Sequence, residues 1–76
     1  MSSTMSWNEE FSEEVMGFSS EPHHVNVTFS RHAGIYRLPV THEDFVTQMA
    51  NIANSFKTNQ PVKAVVRGQE IVSISL

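Results

Sequence analysis

The chain predicts an α+β domain. Two hairpins make a four-stranded antiparallel sheet in β-β-α-β-β order. One main helix covers the sheet, and a short N-terminal amphipathic helix or disordered arm precedes it. Three observations carry this expectation. Residues 23–40 and 62–76 each alternate apolar and polar positions about a turn, the period of half-buried strands. Residues 41–58 instead place apolar side chains at helical spacing. The first twenty residues hold Glu9, Glu10, Glu13 and Glu14 and no lysine or arginine, so they carry −4 against +1 for the remainder.

In the first hairpin Val25, Val27 and Phe29 alternate with Asn26, Thr28 and Ser30. "RHAG" turns the chain, and Tyr36, Leu38 and Val40 then oppose Ile35 and Arg37. Pro39 lacks an N–H and belongs at a strand end or edge. In the helix Thr41 is the expected N-cap, and Glu43 and Asp44 complement the positive end of the dipole. Phe45, Met49, Ile52, Ala53 and Phe56 form the expected apolar stripe. Asn59 suits a left-handed cap, and Pro61 stops the helix. In the second hairpin Val62, Ala64 and Val66, then Val72, Ile74 and Leu76 after Gly68, are expected on the core face.

The N-terminal segment reads as a helix over 6–18. Trp7, Phe11, Val15 and Phe18 fall within about 80° of one another on a wheel. Ser6 and Glu9 have capping-box spacing. So short a helix is unstable alone. The chain thus divides into an acidic arm, 1–20, and a single domain, 21–76.

Several classes of chemistry find no support. The absence of cysteine removes disulfides, thiolate zinc sites and thiol catalysis, and suits a reducing, cytoplasmic setting. The longest apolar run is three residues, Ala64 to Val66, which spans no membrane. The start has neither the basic residues nor the apolar stretch of a secretory signal. His23 and His24 would point to opposite faces of a strand, and nothing places His32 or His42 in a ligand set. "HED" at 42–44 invites an acid–base interpretation, but consecutive helical residues splay apart and dipole complementation explains both carboxylates. There is no phosphate loop or nucleophile elbow. No catalytic residue, metal or cofactor is expected, and the small soluble protein is not expected to be an enzyme.

The expected function is a non-enzymatic protein-interaction module, a regulator or adaptor working through a sheet face or edge and the acidic arm. Its partner is another protein or a second copy in a homodimer. The anchors are Trp7, Phe11 and Phe18, with Arg37, Lys63 and Arg67 as charge partners on the sheet face that the helix leaves open. The alternative is a nucleic-acid-associated protein using that cationic face, with the arm as internal competitor. It is disfavoured because Phe29 and Tyr36, the only strand aromatics, have the parity of the covered face. The domain charge of +1 is also low for phosphate binding.

Overall fold

A computed structural model describes residues 8–76. The strands are β1 (Glu9–Glu13), β2 (Val15–Ser20), β3 (His24–Phe29), β4 (Tyr36–Pro39), β5 (Val62–Arg67) and β6 (Glu70–Ser75), with one helix, α1 (Phe45–Thr58). They form a six-stranded sheet in the order β1-β5-β6-β4-β3-β2. The expected four-stranded antiparallel sheet is therefore wrong. Both expected hairpins form, but β4 joins β6 in parallel, with Arg37 opposite Glu70, so the sheet is mixed.

The larger correction lies in residues 9–20, which are strand and not helix. β1 pairs antiparallel with β5, and β2 pairs antiparallel with β3. These two strands stand at opposite edges of the sheet, yet only Glu14 separates them. The sheet must therefore curl until its edges meet on one bent strand. Counted that way it is a five-stranded barrel with a parallel closing pair and its helix between the third and fourth strands. That is the connectivity of an OB-type Greek-key barrel.

The helical stripe and the bent strand use the same residues. Phe11 and Val15 are four apart, so they share a face in a strand as well as in a helix. Phe18 lies seven from Phe11 and would point outward in a regular strand. A bulge between Val15 and Gly17 shifts the register, leaves Met16 exposed, and sets Phe18 opposite the buried Val27. Partner strands decide between the two periods, because a lone segment cannot.

The barrel interior is Val15, Val25, Val27, Phe29, Tyr36, Leu38, Val62, Ala64, Val66, Ile71 and Ile74, with Ile52 entering from α1. The last strand departs from simple alternation. Val65 faces Ser73 but Val66 faces Ile71, so Val72 is the extra residue of a bulge. Ile71 is consequently 1% exposed, while Leu76, expected inside, is 74% exposed.

The helix starts at Phe45, with Asp44 at the cap position, and not after Thr41. The Asp44 N–H donates to His42 Nδ1 at 3.1 Å, and His42 Nε2–H donates to the Val72 carbonyl at 2.6 Å. Asn59 takes the left-handed cap at φ 59°. The buried line of α1 is Gln48, Ile52 and Ser55, with Phe45 and Met49 half-buried beside it and Ala53 and Phe56 exposed. Gln48 accepts the Ile74 N–H, and Asn51 donates to the Ile74 carbonyl at 3.0 Å. The polar residues of α1 face inward because backbone groups of the barrel need partners there.

Candidate functional site

Two constellations stand out. The first follows from strand period. Glu9, Phe11 and Glu13 alternate along β1 and face the interior side, opposite Val66, Ala64 and Val62. Loop 30–35 folds over them. The His32 ring stacks on Phe11 with centroids 3.8 Å apart and 17° between planes. Its Nδ1 meets the Glu13 carboxylate, and its Nε2 lies 3.3 Å from Glu9 Oε2. Phe29 stands edge-on behind Phe11, and Tyr36, tilted to Phe11 and edge-on to Phe29, completes an aromatic cluster.

Glu13 is only 6% exposed, and a buried carboxylate demands donors. It receives the Arg31 N–H at 2.7 Å as well as His32. Those hydrogen bonds raise the His32 pKa above its ordinary 6.5, the bond to Glu13 contributing most and Glu9 less, with partial burial opposing them. Burial, together with the same two carboxylates, also raises the Tyr36 phenol. Both imidazole nitrogens are committed to carboxylates on opposite sides of the ring. That geometry is a clamp, with no free nitrogen for a substrate. Among the described residues no group of three or more potential ligands is arranged to hold a metal ion.

The second constellation is a groove of about 240 Å³ on the outside of the barrel, lined by Gly17, Phe18, Ser19, Asn26, Thr28 and Ile35. Its origin is local. Outward positions of β2, β3 and β4 bring Gly17 beside Thr28 and Ser19 beside Asn26, and Ile35 leads into β4. Gly17 has no side chain to fill the floor. A Cβ there would meet Thr28 Oγ1 at 3.5 Å, an ordinary contact, so the protein itself does not require the glycine. Ile35 is 49% exposed and Phe18 38%. Phe18 also packs edge-on against Phe56 of α1 at 5.6 Å, extending the apolar surface past the rim.

The residues singled out in the sequence are dispersed. Trp7 lies outside the described residues. Phe11 is half-buried under His32, and Phe18 borders the groove. Arg37, Lys63 and Arg67 do lie on the exposed side of the sheet. Lys63 pairs with Glu10 at 3.3 Å, and Arg67 Nε donates to Asn8 Oδ1 at 3.3 Å. Of these three cations, Lys63 meets a glutamate of the acidic segment, while Arg67 meets the neutral amide of Asn8. His32, Glu13 and Gly17 were missed as a site. The pattern Glu9-x-Phe11-x-Glu13 was the available signal, legible only once the segment is taken as a strand.

Comparison with protein-family models, curated proteins and solved structures returns no match. Among the described residues no helix is long and apolar enough to cross a membrane.

Proposed function

We propose that this protein is a non-enzymatic binding module that takes an extended, largely apolar peptide segment of a protein partner in the groove over Gly17. The observation that carries the proposal is the groove itself. Ile35 supplies an apolar wall beside the polar side chains of Ser19, Asn26 and Thr28, and Phe18 borders the groove. Apolar contact with a few placed polar groups is the composition of small binding sites. The aromatic pair Phe18–Phe56 at the rim adds the residue type that most often anchors interfaces. By fold-level analogy alone, barrels of this connectivity bind oligonucleotides and oligosaccharides on the face of their second and third strands, here β3 and β4, so the analogy bears on the location of the site and not on a peptide.

A peptide fits this face better than a nucleic acid. Nucleic-acid binding draws most of its affinity from phosphate contacts, and among the described residues no lysine or arginine lines the groove. The test is selection of a displayed random-peptide library on the full chain, with an oligothymidine as competitor. Recovery of a shared apolar motif that the oligonucleotide does not displace supports the proposal. Failure to enrich any motif contradicts it, as does oligonucleotide binding with the steep salt dependence of phosphate contacts.

A further inference from the structure

We propose that loop 30–35 is a proton-responsive wall of this groove. A proton on His32 adds a tie from one end of the loop to Glu9 of β1, and Ile35 at the other end stands in the groove wall. The peptide-binding role of the groove is the proposal above, on which the consequence for binding rests. The coupling along the loop is a property of the free protein.

The geometry supplies both ends. The loop is fastened by residues 13 and 14 at successive positions. Ser30 N–H donates to the Glu14 carbonyl at 3.1 Å, and its hydroxyl to Glu14 Oε1 at 3.0 Å. Arg31 N–H and His32 Nδ1 then share the Glu13 carboxylate. Only three residues beyond His32, Ile35 lines the groove. Gly34 between them sits at φ +96°, a conformation that side chains rarely adopt, so the chain reverses there without a bulky residue.

Protonated His32 donates from both nitrogens and bridges Glu13 to Glu9. When it loses one proton, the shared Nδ1–H can stay on Glu13, but Nε2 then presents a lone pair to the Glu9 carboxylate. The bridge to Glu9 breaks, and the buried Glu13 charge loses its counter-charge. Among the described residues the groups facing His32 are few. β1 contributes Glu9 and Glu13, with neutral Phe11 beneath the ring. β4 contributes Tyr36, its ring 6.3 Å away. Within the loop region Arg31 adjoins it, and Glu14 is held by Ser30. Arg67 of β5 is nearby only through Asn8, next to Glu9.

The experiment is an amide and histidine-ring NMR series on the full chain across about pH 5 to 9, which spans the range in which an ordinary histidine changes charge and extends above it. The proposal expects the Ile35, Gly17 and Thr28 amides to shift with the same midpoint as the His32 ring. In Glu9→Gln, an exposed change that keeps the fold, that shared midpoint moves to lower pH. In His32→Gln the transition disappears from all three amides. A His32 ring that titrates while the Ile35 and Gly17 amides stay still overturns the proposal. So does a transition at those amides that survives His32→Gln, since His23 or His24 would then be its source. No peptide is present in this measurement, so a groove that binds nothing would count against the binding role alone.

Discussion

The Ser55 hydroxyl accepts the backbone N–H of Val15 at 3.0 Å, across forty positions of sequence. It donates its own hydrogen bond to the Gln60 carbonyl at 2.6 Å. Val15 opens β2 just after the bend, where the strand leaves β5 for β3, so its edge is exposed to the helix. One side chain that is fully buried thereby ties α1 to the seam of the barrel.

Ser55→Ala should therefore cost about 1–3 kcal/mol, the penalty for leaving a buried donor unpaired. The urea midpoint measures it. A loss under about 0.5 kcal/mol would mean that the Val15 N–H finds another partner.

The bulge at Val72 makes a contrast that simple alternation reverses. Ile71→Ala should destabilise by about 2–5 kcal/mol, as for other core truncations. Leu76→Ala should stay within about 0.5 kcal/mol, as surface changes do. Equal losses, or the opposite order, would remove the bulge from β6.

Deletion of residues 1–20 removes β1, β2 and Val15, which is 2% exposed in the core. The remaining chain keeps two hairpins and a helix with an open seam. It should show no cooperative thermal transition by circular dichroism. A sharp transition would mean that 21–76 folds alone and that the bent strand is an accessory.

The clamp has a sign that titration can check. The folded pKa of His32 is raised, so its stabilisation is fully present below the unfolded value of about 6.5 and is lost as pH rises through the folded pKa. Glu13→Gln should lower that pKa more than Glu9→Gln, because the Glu13 hydrogen bond is the larger cause. Ring-proton shifts of the two variants decide it. A greater effect of Glu9 would reverse the roles of the two carboxylates.

Much of the body of the fold was legible in the sequence. Alternation at Val25, Val27 and Phe29 and at Val62, Ala64 and Val66 located β3 and β5 and their inner faces, and Asn59 and Pro61 marked the helix end. What failed has one physical cause. Phe11, Val15 and Phe18 satisfy helical spacing, and they satisfy a strand only with a bulge at Met16, for which the adjacent Gly17 was the one local signal. Likewise Gln48 and Ser55 fall outside the expected apolar stripe, and their burial follows from the backbone groups they serve. Glu13 read as part of a charged surface until loop 30–35 closes over it. Each of these is fixed by partners distant in sequence. The groove was invisible for the same reason, since Gly17, Thr28 and Ile35 meet only in the curled sheet.

The binding role of the groove is tested most directly by comparing wild type with Gly17→Ala and Ile35→Asp against one selected peptide. Affinity and the map of perturbed amides would be read together. Gly17→Ala adds a Cβ that the protein accommodates, and Ile35 is half exposed, so both variants should fold. Perturbations centred on Gly17, Asn26, Thr28 and Ile35, with affinity lowered about tenfold or more in each variant, are the expected result. Unchanged affinity in both variants, or a map centred on another face of the barrel, would contradict it.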